Sequence, residues 1–549
     1  MTFADHLIIA PIIIPLIAGG LMLLLDGRRR EAIAAISILS TLALLAVAVT
    51  LLMSSAAPEP AQTVRVYLLG NWPVTFGIVL VADRLAALML VLTATLGCAA
   101  LLFALASWHR AGSFFHPLFQ FLLMGLNGAF LTGDLFNLFV FFEVLLAASY
   151  GLALHGSGRA RVSASLHYIV INLASATLFL IGVSLIYGTA GTLNMAALAE
   201  RIPLLDPSER RLMEIGAAIL GVAFLIKAAA WPLGFWLPTM YAAASAPVAA
   251  LFAVMTKVGF YVILRLGSIT AEAAGGASIF YAEGWLFTIG IATMCFAAIG
   301  MLASQDMGRL AGYSVLVSSG TMLAAIGLGG TGMTTAALYY LVSSTLTVAA
   351  FFLLIELVER GRTPADDVLA VTLEAYGAEE EGEFEEAEVV GVAIPALLAV
   401  LGVAFLACAL LLSGLPPLSG FIAKFAILSS LLDQHWLTGG GTISLQGWVL
   451  LGVILISGLA TIVAMTRAGI RTFWTFTERE LPQVRSVEIG AVALLLFLCV
   501  ALTVQAGPVM RFMQATASGL ELGRPYIGAV QAKTPTVPTP RPPPSEVKP

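Results

Sequence analysis

The sequence predicts an all-α polytopic membrane protein of about 14 transmembrane helices. Three observations lead there: too little charge for a soluble surface, apolar runs of bilayer-spanning length along most of the chain, and arginines that recur in alternate connections. The chain has 549 residues, 59% of them hydrophobic and 11% charged. Globular proteins average about 45–50% apolar and about 25% charged residues. A soluble core this large needs a charged skin that this composition does not supply. The outer surface is therefore apolar and lipid is its solvent. A net charge of −5 and the lack of any basic stripe give nucleic acid nothing to bind.

A helix needs about 20 apolar residues to cross a bilayer. Such runs occur at 7–25, 32–53, 84–107, 114–132, 134–154, 164–187, 213–230, 247–270, 284–303, 309–328, 333–357, 391–432 (interrupted), 447–467 and 487–508. The first run lacks the basic leader and cleavage site of a signal peptide. Arg28, Arg29 and Arg30 follow it and are expected to stay in the cytoplasm, which places the N-terminus outside. With that orientation odd-numbered spans end in the cytoplasm. Arg28 to Arg30, Arg110, Arg159, Arg161, Arg309, Arg360, Arg362, Arg467, Arg471, Arg479 and Arg485 all follow odd spans. Arg65, Arg201, Arg210 and Arg211 fall on the other side, in longer loops.

This order divides the chain into three N-terminal helices (1–110), a unit of spans 4–8 (111–270), a unit of spans 9–13 (284–467), a last helix (487–508) and a Pro-rich tail (509–549). The tail is expected to be disordered from 530 onward. Between spans 11 and 12, residues 359–388 hold Glu379 to Glu381, Glu383, Glu385, Glu386 and Glu388, which reads as a solvated cytoplasmic loop. Cys98, Cys295, Cys408 and Cys499 each stand alone in apolar runs and read as buried small hydrophobes. With no CxxC or His-x-x-x-His spacing, zinc, haem and iron–sulfur ligation have no candidates, and no cofactor is expected. Nothing in the sequence marks a metal site.

The lysines carry the strongest functional signal. There are five, and Lys533 and Lys548 lie in the tail. Lys227, Lys257 and Lys424 lie inside apolar runs, so the deeply placed basic residues read as lysines while the cytoplasmic positive charges are arginines. Arginine keeps its proton with a pKa above about 12, whereas a desolvated lysine gives its proton up readily. A buried lysine can therefore load and release a proton. A charge at the bilayer centre costs about 2.5–3.5 kcal/mol, so three unpaired ones approach 10 kcal/mol, comparable to a domain's whole stability. The plain alternative is that each lysine snorkels or locks two helices through an ion pair.

Glu143 is the acid deep in an apolar span, and Lys227 is the candidate partner. The plain alternative is a static bridge between spans 5 and 7. Asp134 and Asp83 precede helices and read as N-caps. Two spans carry breakers beside a lysine: Ala230-Trp231-Pro232-Leu233-Gly234-Phe235-Trp236-Leu237-Pro238 after Lys227, and Ser413-Gly414-Leu415-Pro416-Pro417-Leu418-Ser419-Gly420 before Lys424. Proline removes a backbone donor, and in lipid the freed groups need protein or water, so such breaks mark buried polar regions. Their spacing, five spans apart, suggests repeats at spans 4–8 and 9–13. His167, near Asn172, Ser175 and Thr177, is a possible proton relay because histidine titrates near neutrality. Ser343, Ser344, Thr345 and Thr347 are possible relay or water-holding groups, though such hydroxyls more often join helices.

The stretch Thr132-Gly133-Asp134-Leu135-Phe136-Asn137-Leu138-Phe139-Val140-Phe141-Phe142-Glu143-Val144-Leu145-Leu146, followed by Ala148-Ser149-Tyr150-Gly151-Leu152, resembles the D subunit of Mrp-type multisubunit cation/proton antiporters. That family is similar to the antiporter-like subunits of respiratory complex I. Ile226-Lys227 with Trp231-Pro232, Thr256-Lys257-Val258-Gly259, and Gly414-Leu415-Pro416-Pro417-Leu418-Ser419-Gly420-Phe421 with Lys424 fit the same pattern, and the resemblance covers roughly residues 1–510.

The resemblance implies inverted repeats, a coupling pair of Glu143 and Lys227, a proton path continued by Lys257, and Lys424 near the far exit. It implies a secondary transporter subunit rather than an enzyme, in a bacterial inner membrane, working with other Mrp subunits on protons and Na⁺ or K⁺. The wider family often carries a histidine in span 11. This chain has Ser343 or Ser344 there, which points to water in the relay. The competing reading is a proton-pumping subunit of a complex I-type NADH–quinone oxidoreductase or a related membrane hydrogenase. A third is a membrane scaffold that transports nothing.

Overall fold

The computed structural model describes residues 6–56, 63–74, 77–273, 284–360, 396–436, 444–473 and 483–533. The acidic run Glu379 to Glu388 and the tail beyond 533 lie outside the described residues. Each expected span is met by a helix. The first group is α1 Ala10–Leu24, α2 Arg30–Ser55 and α3 Arg84–Ala104. Then come α4 Phe115–Leu131, α5 Leu135–Ala153, α6 Arg159–Ala190, the short α7 Met195–Arg201, α8 Pro207–Lys227, the short α9 Trp236–Ala243 and α10 Ala246–Ala273. They are followed by α11 Trp285–Ala303, α12 Met307–Leu328, α13 Thr331–Glu359, α14 Ala396–Ser413, α15 Ser419–Trp436, α16 Leu445–Phe473 and α17 Ser486–Val504. Among the described residues, 11 helices are long and apolar enough to cross a membrane. Helices α10, α12 and α13 are covered on nearly every side and form the centre, whereas α14 and α17 turn most of their surface outward.

Two features depart from a pure helix bundle with a tail. Strands β1 Arg65–Leu68 and β2 Val79–Ala82 pair antiparallel in a short hairpin. Residues expected to begin the tail instead form α18 Ala506–Leu522 and α19 Arg524–Ala532, which fold back against the bundle.

The connections sort onto two end faces. On one, Trp108 donates to both carboxylate oxygens of Glu356 at 2.7 and 2.8 Å. Arg360 pairs with Glu356 and Glu488. Arg161 donates to the Ala243 carbonyl at 2.8 Å, and Arg467 to those of Leu302 and Ser304. These residues follow or approach the ends of spans 3, 5, 7, 9, 11 and 13, so the odd spans end together on this arginine-rich face. On the opposite face the hairpin meets the α4–α5 turn through Gly133 N–H to Val79 O at 2.9 Å, and Arg84 reaches Ser55 O and Ala515 O. The N-terminal end belongs here too, with His6 3.2 Å from the Tyr67 hydroxyl.

The caps and breaks follow their local chemistry. Asp134 accepts from Asn137 N–H at 2.8 Å and starts α5, and Asp83 accepts from Ala86 N–H at 2.9 Å and starts α3. Both predicted breaks are present. At the first, the freed Trp231 N–H finds Thr293 Oγ1 at 2.9 Å. At the second, the carbonyls of Leu412 and Ser413 accept from Lys424. Glycine is needed at each: a Cβ on Gly234 or Gly420 would stand 2.0 Å from the carbonyl oxygen of Ala229 or Leu411. Of the cysteines, Cys408 and Cys499 are buried, whereas Cys295 is exposed on α11.

Candidate functional site

Lys227 ends α8, where the break lets its side chain turn into the bundle. Its ammonium donates to Asn172 Oδ1 on α6 at 2.8 Å and lies 5.7 Å from the Phe142 ring on α5. Glu143 is half-buried on the next position of α5 and interacts electrostatically with Lys227. Among the described residues, the ion pairs within 4.0 Å do not include these two. The structure thus holds Lys227 on a neutral amide, with the carboxylate nearby but not in contact.

Lys257 lies at the middle of α10 and is fully buried. Its ammonium donates to Ser318 Oγ on α12 at 2.8 Å, and Ser318 shares a 2.8 Å hydrogen bond with Ser344 on α13. On the neighbouring position, Ser343 shares one of 2.8 Å with Ser419 at the start of α15. A cavity of about 10 Å³, about the size that one water occupies, touches Ser318, Ser344 and Ser343. It joins the two hydroxyl pairs. Lys424 sits five residues beyond Ser419 on α15, with its ammonium 3.1 Å from Leu412 O and 2.8 Å from Ser413 O. Hydroxyls therefore run from the central lysine toward the second break, and each can accept one proton while donating another.

The remaining relay candidates stand apart. His167 is exposed on α6, with Nδ1 2.9 Å from Ser163 O in its own helix. Thr345 is buried but bonds back to Leu341 O. Ser343 and Ser344 are brought into the chain, and Asn172 rather than His167 is the α6 residue that meets a lysine. Ser318 and Ser419 escaped sequence reasoning, although hydroxyls inside the apolar span 10 give the same signal as those in span 11. The reading that deep basic residues are all lysines is corrected by Arg265. It is buried on α10 and held by Asp83 at 2.5 and 2.7 Å. Asp83 caps α3 and supplies the compensating charge that makes a permanently charged guanidinium tolerable.

Residues 132–448 match the family model described as NADH:quinone oxidoreductase/Mrp antiporter, TM. The chain belongs to this family. The matched region holds Glu143, all three buried lysines and both hydroxyl pairs. The chain is 58% identical over 517 residues to a Rhizobium meliloti protein named as the D subunit of a probable K⁺/H⁺ antiporter, covering 94% of this chain and 96% of that protein. It is 33% identical over 510 residues to the D subunit of the Na⁺/H⁺ antiporter of Alkalihalophilus pseudofirmus, covering 92% and 94%. A chain of the Mrp complex structure from Dietzia sp. DQ12-45-1b superimposes with a TM-score of 0.79 at 25% identity, covering 97% of this chain and all of that one. The expected resemblance to the Mrp D subunit, and the polytopic fold it implied, are borne out.

Proposed function

We propose that this chain is the proton-translocating subunit of a multisubunit monovalent cation/proton antiporter in a bacterial inner membrane, acting with other membrane subunits of an Mrp complex. The observation that carries the proposal is the buried path from Lys257 through Ser318 and Ser344, past the one-water cavity, to Ser343 and Ser419, five residues before Lys424 on α15. Such a path can hand a proton from hydroxyl to hydroxyl, which supports proton movement over a static scaffold. The relative at 58% identity is named for K⁺ and the one at 33% for Na⁺, so K⁺ is the first cation to test. The much higher identity to the K⁺/H⁺ antiporter subunit supports exchange over a redox-coupled pump.

In this reading Lys227 has two positions. In one its ammonium rests on Asn172; in the other it joins Glu143. A proton on Lys257 adds positive charge near Lys227 and biases it toward the carboxylate. The membrane potential supplies about 2.3 kcal/mol per charge per 100 mV. Lys424, on carbonyls freed by the second break, receives or releases the proton at the far end. The arginine-rich face is cytoplasmic by the positive-inside rule, which leaves the N-terminus outside. Spans 4–8 and 9–13 are the two inverted units around this path.

The test uses everted vesicles from an antiporter-deficient bacterium that expresses the whole complex. A pH-sensitive dye follows the gradient when K⁺ or Na⁺ is added after energisation. Wild type is expected to lose the gradient. Assembled complexes with Glu143→Gln or Lys227→Ala are expected to keep it. Retained exchange in either variant, or no cation effect in wild type, refutes the proposal.

A further inference from the structure

The buried pair Asp83–Arg265 takes no part in the hydroxyl path, yet it stands at the end of the same column. Arg265 is eight residues beyond Lys257 on α10, about 12 Å at 1.5 Å per residue. Tyr261 lies between them, four residues from each and on the same helix face. Beyond Arg265, on the hairpin face, is a cavity of about 290 Å³ walled by Asp83, Arg84, Arg265, Ser268, Thr516 and Tyr526, among others. It has room for several waters. Water in that cavity would thus stand little more than two helical turns from the central lysine.

What separates them is a fixed positive charge. The Arg265 guanidinium is gripped at both ends by Asp83 and lies 5.4 Å from the Tyr261 ring and 5.1 Å from the Tyr526 ring. Tyr526 comes from α19, so the C-terminal strap completes the enclosure. The Tyr261 hydroxyl accepts from Arg265 at 3.3 Å and donates to Phe130 O at 2.6 Å, which aims its proton at a backbone carbonyl.

We propose that Arg265, held by Asp83 and enclosed by Tyr261 and Tyr526, seals the hairpin-face end of α10, so that a proton on Lys257 leaves sideways to Ser318 and not outward. This rests on the proton-translocating reading above. Arginine keeps its proton and so cannot relay one, and a fixed cation in a narrow path excludes others. A unit charge about 6 Å from the guanidinium is disfavoured roughly 100-fold at an effective dielectric of about 20, with Asp83 offsetting part of this. Arg265 is a positioning residue: it touches neither lysine and decides which way the proton goes.

The test separates sealing from structural support by treating the two partners unequally. The full complex is reconstituted into liposomes holding a pH-sensitive dye, in choline medium with thiocyanate as permeant counter-ion and without Na⁺ or K⁺. The decay of an imposed pH gradient is then followed. Arg265→Gln leaves the Asp83 carboxylate free to take a proton, with no fixed charge beneath it, and the leak is expected to rise at least about tenfold. Asp83→Asn keeps the guanidinium, and the leak stays close to wild type. The double variant Asp83→Asn/Arg265→Gln also lacks the fixed charge, so its leak is expected to stay above that of Asp83→Asn, and a leak at the wild-type level overturns the proposal. Equal leaks from the two single variants, or a tight Arg265→Gln complex, overturn the proposal. Should Arg265→Gln fail to assemble, Arg265→Met is read instead: it fills the space without a charge and leaves the Asp83 carboxylate free, and a tight methionine variant overturns the proposal equally. Cation-driven exchange by wild type in the same liposomes reports separately on the transport function.

Discussion

Ser318 is the first step out of Lys257, and removing its hydroxyl is the sharpest probe of the path. Ser318 Oγ accepts from the Lys257 ammonium at 2.8 Å and also bonds Ser344 at 2.8 Å. Ser318→Ala deletes both contacts and leaves helix α12 otherwise unchanged. A hydrogen bond to a charged group contributes about 1.5–3 kcal/mol, and about 1.4 kcal/mol is a factor of ten. The connected arrangement of Lys257 and Ser344 should therefore fall about 10- to 150-fold in population. If the proton passes here, cation-driven exchange falls by at least about tenfold while the complex assembles normally. Ser318→Thr restores a hydroxyl at the same position and should recover most of the rate. The assay is the initial rate of gradient collapse on K⁺ or Na⁺ addition to everted vesicles, normalised to assembled complex. A Ser318→Ala complex that exchanges at the wild-type rate refutes the path.

Other outcomes follow from the same geometry. His167→Ala and Thr345→Val should leave exchange near wild type, because one ring faces outward and the other hydroxyl serves its own helix; a large loss in either, by the vesicle assay, would return it to the path. Gly234→Ala should cost at least about 1–3 kcal/mol, since its Cβ would stand 2.0 Å from a backbone oxygen, and thermal melting of the detergent-solubilised complex should fall accordingly. In the connection after α5, burial and then Arg161 hold His155 below the usual histidine pKa, although its bond to Trp108 O works the other way. The folded state thus binds fewer protons there than the unfolded chain, so stability is present above the unfolded pKa of about 6.5 and lost progressively as pH falls from there through the lower folded-state pKa. His155→Gln should flatten the loss of melting temperature between pH 7.5 and 5.5; an unchanged slope would remove His155 as its source.

The sequence by itself determined the solvent, the number of spans and their alternation. Those depend on composition, run length and arginine placement, all of which are local. It also singled out Glu143, Lys227, Lys257 and Lys424, because an ionisable group in an apolar run is costly wherever the chain goes. The caps at Asp83 and Asp134 and the two proline breaks were equally legible, since each is decided within a few residues. Contacts were not. Lys227 bonds to Asn172, 55 positions away in the chain, and Ser343 to Ser419, 76 away. Asp83 read correctly as a cap, yet its second role needed Arg265, which is 182 residues distant. That one pair also turned an arginine that looked ordinary into the deepest fixed charge of its helix. Helices 506–532 were missed because their mixed composition resembles a tail until the hairpin-face surface they cover is known. Only the tertiary structure brings such groups together, because in a bundle side chains on different helices meet according to helix rotation and crossing. Neither is written in the order of residues along any single span.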